Sequence, residues 1–242
     1  MKKTFKMLAL VAMSAGLLFA VCGKDDDDKN DNPTGGGSGG GSGTETAEWV
    51  DLGLPSGLLW AKWNLGATSP EEPGDYYAWG ETATKSVYNW STYKYCTVDA
   101  EGGLETLTKY NTDSDYGTTD GQTTLQASDD VATAKLGNGA RIPTRAEWEE
   151  LINNTTAEWT TMNGVNGRKF TAANGNSLFL PAAGYRWDSG LYDAGEYGYY
   201  WSSSLYADSP GDAWGFYFYS GGQDMSDYGR GDGQSVRAVR QN

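Results

Sequence analysis

Between Ala213 and Ser220 the chain reads Ala-Trp-Gly-Phe-Tyr-Phe-Tyr-Ser. Side chains of a strand alternate between its two faces, so this run predicts an extended segment with Trp214, Phe216 and Phe218 on one face. Gly215, Tyr217 and Tyr219 take the other. The first face has the character of core and the second that of a contact surface. Shorter apolar runs predict further strands at Glu48–Leu52, Leu58–Leu65, Lys169–Thr171, Ser177–Leu180, Tyr199–Ser203 and Ser235–Val239. Two helices are expected. Ser128 caps the first, over Asp129–Leu136, and Gly137 stops it. The second begins after Pro143, where Thr144 and Glu147 form a capping box in which each side chain satisfies an orphan backbone amide. Trp148, Leu151 and Ile152 then share one face of that helix. Residues 97–127, rich in Thr, Gly and Asp, read as a long irregular insertion, and no period repeats along the chain. The fold class is α+β, with short twisted antiparallel strands and long irregular loops. Trp60, Trp148, Trp201, Trp214, Phe216 and Phe218 are the expected large core residues.

The first 21 residues have a Lys-rich start and an apolar run from Met7 to Val21 that stops at Cys22. That length suits a secretory signal better than a membrane span. The segment resembles a bacterial lipoprotein signal, which implies a lipid on Cys22. The acidic run Asp25–Asp28 directly behind it resembles the surface-export signal of Bacteroidetes lipoproteins. Thr34 through Thr44 are mostly Gly and Ser, a flexible tether. The expected organisation is a signal peptide over 1–21, a tether over 22–46 and one ligand-binding domain over 47–242. The expected location is the outer membrane, on the cell surface, with membrane contact through the lipid anchor only.

Charge and composition narrow the function. The formal net charge is −14, which argues against nucleic acid as a partner and against a polybasic membrane patch. The chain contains no His, so the commonest general base and transition-metal ligand are missing. Its two cysteines are Cys22 and Cys96. Cys96 is expected to be a buried small residue and not a reactive thiol. Adjacent acidic pairs such as Glu71/Glu72, Asp129/Asp130 and Glu149/Glu150 read as solvated surface, since neighbours in sequence seldom converge on one substrate. Gly35–Gly43 lacks the Lys-Ser/Thr ending of a phosphate loop. No catalytic residues, metal ligands or cofactors are assigned.

Several blocks resemble one family. Gly139-Ala-Arg-Ile-Pro-Thr-Arg-Ala-Glu-Trp-Glu-Glu-Leu151 is similar to the signature of C-type-lectin-fold domains related to the formylglycine-generating enzyme and the Fibrobacter major paralogous domain. Leu180–Arg186, Gly198–Ser203, Gly233–Arg237, Val50–Gly57 and Gly74–Glu81 match in the same order. The resemblance covers about residues 48–240 and implies a C-type-lectin-like fold. The copper chemistry of the enzymes needs paired cysteines, and only Cys96 lies in the domain. The sugar-binding lectin motifs are not matched by Glu72-Pro73-Gly74 or Trp63-Asn64-Leu65, and the sequence locates no calcium site.

Within this family the chain looks closest to variable proteins of diversity-generating retroelements, often surface lipoproteins in Bacteroides. In these, adenine-specific mutagenesis turns Asn codons into codons for Tyr, Asp, Ser, Gly and Ala. That alphabet fills residues 191–233. The resemblance implies ligand-binding positions at Tyr192, Asp193, Tyr197, Tyr206, Asp208, Asp212, Gly215, Tyr217, Tyr219, Asp224, Ser226, Asp227, Tyr228 and Asp232. They alternate with a fixed frame of Gly198–Ser203, Trp214, Phe216, Phe218, Met225, Arg230 and Gln234–Arg237. Asn and His, also in the alphabet, do not occur between Leu191 and Gly233. Tyr, Ser and Gly also dominate evolved binding loops, because Tyr offers a large amphipathic area at little rotamer cost. The expected function is an adhesin- or receptor-type protein binding a macromolecular ligand, protein or glycan. The alternatives are a constant carbohydrate- or envelope-binding module and a formylglycine-generating-type enzyme.

Overall fold

The computed structural model describes residues 46–242. The expected signal peptide, Cys22 and nearly all of the tether lie outside the described residues. In chain order the strands are β1 (Trp49–Asp51), β2 (Leu59–Ala61), β3 (Tyr76–Tyr77), β4 (Cys96–Val98), β5 (Leu104–Leu107), β6 (Thr155–Met162), β7 (Val165–Ala172) and β8 (Ser177–Pro181). They continue as β9 (Tyr185–Trp187), β10 (Gly190–Tyr192), β11 (Gly198–Leu205), β12 (Asp212–Tyr219), β13 (Gly222–Gly229), β14 (Gln234–Ser235) and β15 (Val239–Arg240). Helices α1 (Val131–Leu136) and α2 (Arg145–Asn154) fall between β5 and β6. This is an α+β arrangement of small, mostly antiparallel sheets.

The central sheet runs β13-β12-β11-β14-β3, with only the β11–β14 pairing parallel. A second sheet, β1-β2-β15, joins the first and last strands, and β6-β7-β8 forms a third. On one face of the central sheet, Tyr200, Phe216 and Phe218 are buried against Trp148 and Leu151 of α2 and Phe170 of β7. The Trp148 ring stacks on Phe216 at 4.9 Å and meets the edge of Trp60 at 5.0 Å. The opposite face is covered only at its inner end. There Trp201, Leu205 and Ala213 pack with Tyr77, Trp79 and α1.

The second helix forms as its sequence dictates. Thr144 caps it, Glu147 closes the box, and Arg141 grips the Glu147 carboxylate with both guanidinium nitrogens. That pairing holds the carboxyl below its ordinary range against the opposing effect of burial. A bulge-type register shift interrupts the pairing of β11 with β12 between Trp201 and Leu205. The bulge docks the helix: Ser203 N–H donates to Pro143 O, and Ser204 Oγ accepts from Arg145 N–H.

Several expectations need correction, the solvated pair Asp129/Asp130 among them, since both residues are buried. The first helix is capped by Asp130, not Ser128. Its carboxylate accepts from Thr133 N–H and also from Ile142 N–H, so the cap ties α1 to the segment before α2. The expected strand Ser235–Val239 is two short strands in different sheets. Residues 97–127 are not wholly irregular, since β4 and β5 form a hairpin there. Trp214 is only half-buried. Its face is covered by the Arg145 guanidinium at 3.7 Å and the Tyr206 ring edge at 5.0 Å. Cys96 is half-buried, its thiol 3.2 Å from Trp90 O, and burial pushes its pKa up. The thiol form is thereby favoured.

Candidate functional site: a tyrosine face on the central sheet

The uncovered outer half of the central sheet is paved with tyrosine. Register places Tyr199, Tyr217 and Asp224 side by side across three strands, with Trp201, Gly215 and Ser226 as the next row. Period two then adds Tyr219 and Tyr228 to the same face. Tyr197 stacks on both Tyr199 and Tyr219, at 5.9 and 5.3 Å, and Tyr228 meets Tyr199 edge-on at 5.5 Å.

The β9–β10 hairpin extends the surface. Gly184, at φ +67°, makes this possible, because a Cβ there would lie 2.0 Å from Tyr192 O. The chain therefore folds back closely enough for Tyr185 to reach Tyr199 at 5.1 Å and Tyr192 at 5.7 Å. Trp187 closes the row against Tyr192. Trp187 at 50%, Tyr192 at 41% and Tyr219 at 37% are among the most exposed large rings. Tyr197, Tyr217 and Tyr228 are half-buried because the rings cover one another.

The polar fringe of this face is acidic. Tyr199 Oη donates to Asp193 Oδ2 at 3.0 Å. Burial first, then the Asp193 charge, raises the Tyr199 phenol well above its ordinary pKa, so it stays a donor. Burial and the neighbouring tyrosine and aspartate charges do the same for Tyr228. Asp224 is exposed beside Tyr217. Asp232, whose charge acts on Tyr185, is itself shifted from 3.8 up to about 7, by burial first and then by the Asp212 charge.

The Asp232 shift predicts a pH dependence. The folded state holds a proton on Asp232 that the unfolded chain has lost, so this group's contribution to stability grows as pH falls from about 7 to about 4 and is level below that. Asp232→Asn is expected to melt higher than the parent at about pH 8, by about 1–2 kcal/mol after solvent screening, and to match it near about pH 4. A parent–variant difference that stays constant between those pH values would overturn the assignment.

The sequence-expected positions do not all converge. Tyr192, Asp193, Tyr197, Gly215, Tyr217, Tyr219, Asp224, Ser226 and Tyr228 share or fringe the tyrosine face, and Asp232 lies near Tyr185. Gly215 is buried in its floor. Asp227 stands opposite Trp214, on the other face of the β12–β13 ribbon. Asp212 shares that second face by strand alternation, and its carboxyl is raised, by burial foremost and also by Asp227. Tyr206 packs on Trp214 there, with the exposed Asp208 in the adjoining loop. Tyr185, Trp187, Tyr199 and Gln234 belong to the tyrosine face yet were not among the expected positions.

Among the described residues no group of three or more Cys, Asp or Glu side chains is placed to hold a metal ion. An apolar hollow of about 400 Å³ beside the hairpin, lined by residues including Tyr76, Val165, Pro181 and Leu191, has Glu71 as its one carboxylate. A family model described as a domain of unknown function (DUF8237) matches residues 156–239, a span containing every strand of the tyrosine face. No curated protein and no solved structure matches the chain.

Proposed function

We propose that this chain is a cell-surface ligand-binding protein with a C-type-lectin-like fold, and that the tyrosine face is its binding site. The observation that carries this reading is the interlocked array of Tyr rings on the outer half of the central sheet. Exposed aromatic surface of this kind invites association unless a partner covers it. A few such rings can dominate an interface. The chain is a binder, not an enzyme, in this reading, and requires no cofactor. Its partner is a macromolecule, protein or glycan. Cys22 carries the lipid that holds it at the outer membrane.

We further propose that the face is one version of a site diversified by a retroelement. The division of labour along β12 supports this: Phe216 and Phe218 lie in the core, while Tyr217 and Tyr219 point away from it. The test compares sister strains and reads the surrounding DNA. Substitutions are expected to concentrate at Tyr192, Tyr197, Tyr217, Tyr219, Asp224 and Tyr228 and to spare Phe216, Phe218 and Arg237. A near-identical partial repeat differing at template adenines is expected beside a reverse-transcriptase gene. Invariance of Tyr217, Tyr219 and Asp224, with no such repeat, would leave a constant binding module instead.

A further inference from the structure

We infer that the centre of the tyrosine face takes a cationic side chain, guanidinium or ammonium, presented by a polypeptide partner, with Gln234 Oε1 as the buried acceptor beneath it. This rests on the reading of the face as a ligand site and names the chemistry of its ligand.

The first observation is Gln234. The residue is 1% exposed, and its Oε1 is buried without a hydrogen-bond partner. It lies in the floor of the face: a Cβ built on Gly215 would meet Gln234 Oε1 at 3.0 Å and the Tyr228 ring at 2.8 Å. The Tyr228 ring therefore fills the space beside Gly215, and the unsatisfied carbonyl oxygen of Gln234 lies against the same glycine. Buried acceptors in native structures nearly always have a donor, and each exception calls for an explanation. A donor delivered by a ligand supplies one. Tyr228 belongs to β13, the edge strand of the sheet, and its ring rests against Tyr199 and Trp201 at 5.5 and 6.5 Å.

The second observation is the charge around that ring. Asp193 and Asp224 flank the rings. The nearby arginines are all committed elsewhere. Arg230 is buried and donates to Tyr93 Oη and to the carbonyls of Lys109, Tyr110 and Pro210. Arg186 lies over the Tyr76 ring at 5.1 Å. Arg168 donates to the carbonyls of Tyr219 and Gly222 at the far turn. Aromatic faces, carboxylates and a lone amide oxygen all favour a ligand that is cationic and rich in donors. An arginine head meets every one of these demands, with π contact, charge and several N–H groups in one planar unit.

The test uses the full chain in detergent and ligand-observed NMR titration at low salt. The probes are a terminally blocked Gly-Arg-Gly peptide, the same peptide with uncharged citrulline, and maltotetraose. The arginine peptide is expected to bind at least about tenfold more tightly than the citrulline peptide. Gln234→Leu is expected to weaken arginine binding by about tenfold while the melting temperature holds or rises, because it removes an unsatisfied acceptor at similar volume. Should that variant fail to fold, the exposed pair Asp193→Asn with Asp224→Asn gives the same reading, with lost affinity and lost salt dependence. Equal binding of the arginine and citrulline peptides, or arginine binding unchanged in both variants, overturns the inference. Maltotetraose bound at the tyrosine rings with no response to arginine also overturns it, yet leaves the ligand-face reading standing. The ligand-face reading falls instead if none of the Tyr positions varies and no probe touches them.

Discussion

Arg237→Ala is expected to remove about 3–5 kcal/mol of stability, enough to unfold a domain of ordinary stability. The Arg237 guanidinium is buried. It donates through Nε and Nη2 to Asn64 Oδ1, at 3.0 and 2.7 Å, through Nη1 to Ala61 O at 3.1 Å, and through Nη2 to Phe179 O at 3.1 Å. Asn64 in turn donates to Pro73 O and Tyr200 Oη, and Tyr200 Oη donates to Pro181 O. One side chain thereby ties β2, β8, β11 and the loop after β2 together. Burial drags its pKa down to about 10, with the Tyr200 hydroxyl acting in the opposite direction. It remains charged at neutral pH because neutral oxygens surround it. Truncation strands those acceptors in the interior. Lysine is not a remedy, since one ammonium cannot reproduce the forked geometry. Urea unfolding of parent and variant measures the effect, and a loss below about 1 kcal/mol would contradict it.

Trp148→Ala is the second large effect, at about 3–5 kcal/mol. The ring is wholly buried, stacked on Phe216, edge-on to Trp60 and tilted against Tyr200 at 5.9 Å. Its Nε1 donates to Trp201 O at 3.2 Å. Removing it leaves a cavity where helix and sheet meet, and an unpaired carbonyl in the β11 bulge. By the same unfolding measurement, Tyr217→Ala with Tyr219→Ala is expected to cost far less, since both rings lie outside the core. Equal losses for the two variants would mean that the tyrosine face carries the fold.

How much of this was legible in the sequence depended on whether a residue's environment is local. The α2 capping box is local: Thr144 and Glu147 sit three apart, and nothing distant is needed to satisfy them. Phe216 and Phe218 were legible for a similar reason, since alternation assigns them one face. Trp214 shares that alternation and still emerges half-buried, because its cover is the Arg145 guanidinium and the Tyr206 ring edge and not the apolar core. The true cap of α1 was hidden because Ser128 and Asp130 are both good caps. Ile142 N–H, twelve residues on, decides for Asp130. Strand β13 was invisible. Gly-Gln-Asp-Met-Ser-Asp-Tyr-Gly is turn-forming chemistry, and only pairing along all of β12 makes it a strand. Strand β6, with its Thr-rich sequence, is held likewise by β7.

The site was half legible for the same reason. Composition marked the stretch from Tyr192 to Asp232, but composition has no faces. Ladder parity separates Asp224, Ser226 and Tyr228 from Asp227, and the hairpin permitted by Gly184 brings in Tyr185 and Trp187. Gln234 is set into the floor from β14, beyond the Tyr-rich segment, and its role rests wholly on tertiary placement.

The unbroken pairing of Asp212–Tyr219 with Gly222–Gly229 also governs how this ribbon can change over time. A substitution alters one tile and leaves its neighbours facing as before. An inserted or deleted residue inverts every tile beyond it, sending Phe216 or Phe218 into water or a tyrosine into the Trp148 packing. The ribbon is therefore free in spelling and fixed in length. Lineages of this protein should differ here by letter, with gaps confined to the turns and loops at the ribbon's ends.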